Sequence, residues 1–181
     1  MAFNISDFRG QLEFGGARPS LFEVQIFNPA NNTGDLKTPF LVRAAQLPGS
    51  TVGTIPVSYF GRQIKLAGNR TFGDWTVTII NDEDFLVRNA LEEWNNQLNT
   101  REGNVRTSGD NPSSYKSTAL VKQFGKDGTV IRVYEFDGIW CSDIAPIDVN
   151  WDGEGIQEFS TTFQYDYWRV QGGTTGDAGG Q

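Results

Sequence analysis

Strict alternation of apolar and polar residues is the strongest constraint that this sequence places on its fold. In DWTVTII, the side chains of Trp75, Val77 and Ile79 fall on one face, whereas Thr76 and Thr78 fall on the other. The segments LFEVQIFNP and FSTTFQYDYW alternate in the same way. A period of two is typical of antiparallel strands that bury one face. About eight such segments predict a mainly β fold of two packed antiparallel sheets, arranged as a sandwich or barrel.

One segment has helical periodicity instead. Over NDEDFLVRNALEEWNNQLN (81–99), apolar side chains recur every three or four residues, which predicts an amphipathic α-helix. Asn81 or Asp82 is expected to cap its first turn. The side chains expected to pack the helix against a sheet are Val87, Leu91, Trp94 and Leu98.

Glycine and proline divide the chain into three predicted parts. Residues 1–20 contain scattered glycines and a proline and are predicted to form an extended N-terminal arm. Residues 21–168 hold the predicted strands and the helix and fit a single β-rich domain. Residues 169–181 are rich in glycine and are predicted to form a flexible tail.

The composition excludes several classes of function. A net charge of −7 argues against binding nucleic acid through its phosphates, because such binding needs clustered Lys and Arg. The chain has no histidine, which removes Ser-His and Cys-His nucleophiles and the usual zinc sites. The single cysteine, Cys141, cannot form an intramolecular disulfide. We therefore predict a protein that is not an enzyme and that uses no cofactor and no metal.

The stretch GRQIKLAGNRTFGDWTVTII (61–80) allows two interpretations. Its glycines and basic residues could form an anion-binding loop, but such a loop lies between a strand and a helix N-terminus, and here another strand follows. We therefore interpret it as β structure with reversals at Gly61 and at Gly68-Asn69. The predicted strands lie near 53–60, 62–67 and 72–80.

Three basic side chains in this stretch need a partner. Arg62, Lys65 and Arg70 form a basic band on an acidic protein. The acidic surface of another copy of the same chain is a natural partner, which is a hypothesis of self-assembly.

Two further sites were considered from the residues. Asp148, Asn150 and Asp152 match the start of an EF-hand calcium loop, but the twelfth position is Phe159 and the bidentate glutamate is missing. We interpret Asp148–Glu158 as an Asp/Gly-rich connection between strands. Paired carboxylates of a glycosidase are not singled out by any pattern.

Exposed aromatic residues on a β-sandwich can also stack on sugars. The candidates are Trp140, Trp151, Tyr167 and Trp168. Aromatic residues near strand ends more often pack the core, so a carbohydrate-binding module is the weaker alternative.

The order of several motifs resembles one known family. The run from Leu47 to Trp94 contains PGSTVGTIPV, FGRQIKLAGNRTF and DWTVTIINDEDF, and it is similar to the tail tube proteins of contractile-tailed bacteriophages. FRGQLEFGGARPSLFEVQI near the start and IDVNWDGEGIQEFSTTFQYDYW near the end also resemble that family. The resemblance covers residues 1 to about 168. The ring protein of type VI secretion is related to this family in fold.

The resemblance implies a structural subunit rather than an enzyme. Six copies would form a ring whose inner sheets join into a β-barrel, and the rings would stack into a tube inside a contractile sheath. The tube would let DNA pass without binding it specifically. A subunit of a phage-like or type VI injection device is the alternative. The implied partners are further copies of the chain and the sheath, baseplate and tail-terminator proteins.

The resemblance also implies where copies meet. Residues 47–72 would reach a neighbouring copy or the next ring, and the N-terminal arm would bridge subunits. The residues expected at these contacts are Arg9, Arg18, Pro48, Gly49, Thr51, Arg62, Lys65 and Arg70. The sequence contains no apolar run of about 18 residues and no signal-peptide pattern, so a protein that is cytosolic at synthesis is expected. The resemblance implies assembly in the host bacterial cytoplasm and a final location in the virion tail.

Overall fold

Antiparallel pairing organises the chain into two sheets that share one long strand. The computed structural model describes residues 4–12, 15–109 and 111–172. The helices are α1 (Ile5–Gln11), α2 (Thr38–Leu41) and α3 (Leu86–Leu98). The strands are β1 (Phe22–Ile26), β2 (Val42–Ala45), β3 (Thr51–Tyr59), β4 (Arg62–Thr71), β5 (Trp75–Ile80), β6 (Ser117–Phe124), β7 (Val130–Ile144), β8 (Glu158–Gln164) and β9 (Tyr167–Val170). The predicted fold class, mainly β with an amphipathic helix, is confirmed.

Strand β7 belongs to both sheets. The strand order is β1-β6-β7-β8-β5-β2, with β9 also paired to β7. The first part of β7 pairs with β6 and β9, and its last part, from Trp140, pairs with β8. Between the two parts lies Gly138, whose φ of +68° favours glycine. A Cβ there would collide with the carboxylate of Asp166, so another residue would strain the backbone and displace that side chain.

Aromatic side chains fill the space between the sheets. The rings of Trp75 and Phe136 stack with their centroids 4.4 Å apart. Phe163 lies 5.6 Å from Trp75 and 6.2 Å from Trp94, which brings the helix into the same cluster. All four side chains are buried. Because β5 carries Trp75 and β7 carries Phe136, this cluster fixes the packing of the sheets and of α3.

Helix α3 packs on the core along the predicted stripe, but it begins later than predicted. The structure buries Val87, Leu91 and Trp94, and Leu98 packs partly buried against the same core. The predicted cap at Asn81 or Asp82 is wrong, because the helix starts at Leu86 after Phe85, which has a φ of +50°. Asn81 instead continues the sheet, with its N–H donating to the Gln157 carbonyl at 2.8 Å.

The sequence predicts an extended N-terminal arm, but part of this arm is helical. It contains the short helix α1, and the Oδ1 atom of Asn4 accepts a hydrogen bond from the N–H of Ser6 at 3.1 Å. This cap and Asp7 in the first turn stabilise the start of the helix, which continues through Gly10 to Gln11. At the other end, β9 carries the sheet to Val170, beyond the predicted boundary at residue 168. The predicted tail falls largely on residues 173–181, which lie outside the described residues.

We expect Trp94→Ala to destabilise the fold by about 3–5 kcal/mol, because it leaves a large cavity in the aromatic cluster. It also removes the donor that binds the Tyr115 carbonyl at 2.9 Å. Urea denaturation of unassembled protein measures the loss. Asn89→Ala, at an exposed position of the same helix, is the control and should change stability by less than about 0.5 kcal/mol. Equal effects of the two substitutions would contradict the assignment of Trp94 to the core.

Candidate functional site

Strands β3 and β4 form a hairpin, residues 51–71, that stands apart from the two sheets. Each of these strands pairs only with the other in the described parts of the chain. The register runs from Thr51 opposite Thr71 to Tyr59 opposite Arg62. Phe60 and Gly61 form the two-residue turn, and both have a positive φ, of 45° and 77°. This is the geometry of a type I′ turn, which matches the twist of the paired strands.

The hairpin has one apolar face and one polar face. Ile55, Val57, Ile64 and Leu66 lie on the same face, because Ile55 is paired with Leu66 and Val57 with Ile64. All four are exposed, at 43–54% of their full accessibility. The opposite face carries Thr54, Pro56, Ser58, Gln63, Lys65 and Ala67. An isolated two-stranded hairpin is marginally stable in water. We therefore expect the exposed apolar face to be covered by the surface of another protein chain.

The predicted reversal at Gly68-Asn69 is wrong, because β4 continues through both residues. The register shifts here, with Val52 opposite Arg70 but Thr54 opposite Ala67. A Cβ on Gly68 would lie 3.1 Å from the Gly53 carbonyl oxygen. The glycine therefore serves close approach of the two backbones at a bulge, and the chain reverses later, before Trp75.

Two indole groups hold the segment that leads into the hairpin. The Nε1–H of Trp75 donates to the Gln46 carbonyl at 2.8 Å. The Nε1–H of Trp168 donates to the Gly49 carbonyl at 3.0 Å. The hairpin therefore leaves the body from a fixed root, although its strands project away from the sheets.

The predicted contact residues fall into three places. Arg62, Lys65 and Arg70 are exposed on β4, and none of them makes an ion pair within the described residues. Pro48 and Gly49 lie in the root, and Thr51 begins β3. Arg9 lies on α1 and Arg18 lies between α1 and β1. The structure thus gathers six of these residues at the hairpin and its root and places the two arginines of the arm elsewhere along the chain.

The apolar side of the hairpin was not predicted from the sequence. Its signal is nonetheless visible, since Ile55 and Val57 mirror Ile64 and Leu66 about the Phe60-Gly61 turn. The prediction instead concentrated on the basic side chains of the same strand. The apolar face is what distinguishes this hairpin from a solvated surface loop.

The calcium-like segment lies in a loop, residues 145–157, between β7 and β8. The Oδ1 atom of Asn150 accepts a hydrogen bond from the Asp152 N–H at 3.2 Å, which closes a local turn. Within the described residues, no group of three His, Cys, Asp or Glu side chains is arranged to hold a metal ion. Trp151 is fully exposed in this loop.

The aromatic residues that could stack on sugars lie on β7, on β9 and in the 145–157 loop. Trp140 and Trp168 pack partly buried against the core. The hydroxyl of Tyr167 donates to Asp137 Oδ2 at 2.6 Å. Trp151 lies in the 145–157 loop. Of these four aromatic side chains, Trp151 and Tyr167 are exposed, and they belong to different elements.

Cys141 is buried in the core, and burial raises the pKa of its thiol to about 12. The thiolate is the reactive form of cysteine, so this thiol is inert at neutral pH. Near the start of α3, the Lys37 ammonium donates to the Asp84 carboxylate and lowers the pKa of that carboxyl. Both features serve the fold.

No helix in the described residues is long and apolar enough to cross a membrane.

The chain matches a known family along most of its length. Residues 17–171 match the family described as "Phage tail tube protein". The tail tube protein gp19 of Enterobacteria phage T4 is 37% identical over 169 residues, which cover 92% of this chain and 94% of the relative. The tail tube protein gp19 of Enterobacteria phage T6 shows the same identity and coverage.

The fold is also found in a contractile injection machine. A chain in the structure of an extracellular contractile injection system, the PVC sheath/tube terminator in its extended state, superposes with a TM-score of 0.65. That match has 12% identity and covers 87% of this chain and 97% of the other. It supports the fold alone, whereas the family match and the T4 and T6 relatives establish the kinship. The chain belongs to the phage tail tube protein family, whose relatives here are structural proteins and not enzymes.

Proposed function

We propose that six copies of this chain form a ring, that the rings stack into a hollow tube inside a contractile sheath, and that the tube conducts DNA during ejection. The observation that carries the proposal is the free-standing hairpin. It exposes Ile55, Val57, Ile64 and Leu66 together on one face of an otherwise solvent-surrounded β-ribbon. A tail tube protein is a component of the virion tail, and a repeating neighbour is the partner that every copy has available.

The ends of the sheets support ring closure. In the described strands, β1 and β2 end the strand order, and β9 pairs only with β7. Unpaired strand edges invite uncontrolled pairing unless they are covered. Pairing between neighbouring copies covers such edges and extends the inner sheets into a continuous barrel.

The net charge supports transport of DNA without retention. The chain carries 22 acidic and 15 basic residues, which gives −7. A bore that shares this excess of negative charge repels the phosphate backbone and so avoids tight, salt-dependent binding.

The same arguments indicate the other partners. A tube inside a sheath needs contacts with sheath, baseplate and terminator proteins, and we place its assembly in the host bacterial cytoplasm. The injection-device alternative rests on a shared fold, since the superposed chain is 12% identical. The 37% identity to phage tail tube proteins favours the phage tail.

Negative-stain electron microscopy of the purified chain tests this proposal. We expect rings with sixfold symmetry and, as the concentration rises, tubes built from them. Analytical ultracentrifugation should show loss of the 20.1 kDa monomer over the same range. A chain that stays monomeric at all concentrations and binds glycans instead would overturn the proposal in favour of the carbohydrate-binding alternative.

Replacement of Gly53–Asn69 by Asn-Gly should abolish tubes. The change removes the apolar face and keeps the pairs Thr51–Thr71 and Val52–Arg70, so the body should fold as before. Asn-Gly is favoured in two-residue hairpin turns. Microscopy measures assembly, and circular dichroism with urea denaturation checks the body. Normal tubes from this variant would refute the assignment of the hairpin to assembly.

Removal of the N-terminal arm, residues 1–19, should weaken assembly more than it weakens the body. None of the residues of α1 is buried, so the body loses little core. We expect a higher protein concentration to be needed for tubes. Arg9→Ala with Arg18→Ala, in the full chain, separates the contribution of the two charges from that of the arm's backbone. Unchanged assembly after removal of residues 1–19 would show that the arm does not bridge subunits.

A further inference from the structure

Three aspartates of this chain are followed directly by glycine. The pairs are Asp127-Gly128, Asp137-Gly138 and Asp152-Gly153. An aspartate in this position can react with its own backbone, because glycine has no side chain to shield the peptide nitrogen that follows the carboxyl group. The same dipeptide thus occurs in three structural settings, and the setting decides which of the three reacts.

The reaction is an intramolecular condensation followed by hydrolysis. The glycine nitrogen attacks Cγ of the aspartate, a C–N bond forms, and the amide proton leaves with the carboxyl hydroxyl group as water. The product is a cyclic succinimide. Water from the solvent then opens the ring at either carbonyl. Opening at one carbonyl restores aspartate, and opening at the other gives isoaspartate, in which the main chain runs through the former side chain.

Hydrogen bonds hold the carboxylate of Asp127. Its Oδ1 atom accepts from the hydroxyl of Thr129 at 2.7 Å and from the Thr129 N–H at 3.1 Å, and these two bonds lower the pKa of the carboxyl. The Gly128 N–H donates to the Gly125 carbonyl at 3.1 Å. The turn joins β6 to β7, which pair on either side of it. Both reacting groups are therefore held by other partners.

Strand pairing holds Asp137. The residue lies within β7, opposite Thr118 of β6 and Tyr167 of β9. Its Oδ2 atom accepts from the Tyr167 hydroxyl at 2.6 Å, and its carbonyl accepts from the Asp166 N–H at 3.0 Å. The following residue, Gly138, is buried. The backbone here can reach the geometry for ring closure only if two strand pairings open.

Asp152 lies in an exposed part of the 145–157 loop instead. Residues 148–157 are all exposed and belong to no strand. The Asp152 carboxylate makes no ion pair and accepts no hydrogen bond from any residue that the structure describes. The N–H groups of Asp152 and Gly153 donate to Asn150, each at 3.2 Å. Such a local turn opens at a much lower free energy than paired strands do.

We propose that Asp152-Gly153 is a site of spontaneous covalent modification, at which Asp152 converts to isoaspartate through a succinimide. The conversion leaves the mass of the chain unchanged, adds one methylene to the main chain and moves the carboxylate next to the backbone. It takes place beside Trp151, which is fully exposed. The inference does not depend on the proposed function, because it concerns the folded subunit alone.

Peptide mapping of the aged protein tests the proposal. The full chain is kept in warm neutral buffer for several weeks and then digested with trypsin. Residues 133–169 contain no internal Lys or Arg before Arg169, so one peptide carries two of the pairs, and peptide 127–132 carries the third. Electron-transfer fragmentation locates isoaspartate within each peptide, and an unaged sample gives the background.

Because exposed loops open far more readily than paired strands, we expect at least about tenfold more isoaspartate at Asp152 than at Asp127 or Asp137. Equal amounts at the three positions, or none at Asp152, would overturn the proposal.

Ageing in concentrated urea is the control for the role of the fold. Unfolding removes the structural differences among the three pairs, so their isoaspartate contents should agree to within about threefold. A preference for Asp152 that persists in urea would contradict the proposal, since flanking residues rather than the fold would then set it.

Two substitutions test the assignment from opposite sides. Asp152→Glu keeps the charge but must close a larger ring, so the isoaspartate signal from 133–169 should disappear. A signal that persists would place the modification elsewhere. Thr129→Val removes one donor from the Asp127 carboxylate, and it should raise isoaspartate at Asp127 by about threefold or more while leaving Asp152 unchanged. Circular dichroism confirms that both variants fold. An unchanged Asp127 would contradict protection by hydrogen bonds.

Discussion

The side chain of Trp75 connects the core of this protein to its assembly surface. Its ring stacks on Phe136 across the two sheets, and its Nε1–H donates to the Gln46 carbonyl in the root of the hairpin. One residue thus fixes the packing of the sheets and the place from which the hairpin departs. Loss of the ring would loosen the core, and loss of the N–H alone would leave a carbonyl of the root without this donor. The hairpin itself is exposed, but a buried side chain of the core fixes the place where it leaves the body.

Much of the fold could be predicted because its signals are local. Alternation identifies β5 and β8, and the apolar stripe from Val87 to Leu98 identifies α3. The errors occur where long-range contacts decide. Gly68 looks like a turn residue, yet it is required by the close approach of Gly53 in the partner strand. Asn81 does not cap α3, because its backbone N–H binds Gln157, 76 residues further along the chain.

The candidate site could be predicted only in part. The basic residues of β4 stand out in an acidic sequence, so the exposure of their side chains could be predicted without the structure. The segment Asp148–Glu158 resembles the start of a calcium loop, and the sequence alone does not show that Trp151 within it is fully exposed whereas Trp140 and Trp168 pack against the core. Nor does it show that the hairpin and the 145–157 loop lie at opposite ends of β5, which follows from the register of β5 with β8.

The separation of the hairpin from the body has a consequence for how such a chain can vary. In the described chain, β3 and β4 have extensive contacts with each other and pair with no other strand. Changes at sites that share no contacts have nearly additive effects on stability. Substitutions on the hairpin therefore leave the free energy of unfolding of the two-sheet body almost unaffected. Related chains can therefore change how copies recognise each other, and so avoid assembly with foreign subunits. Such changes require no compensating substitutions in the core.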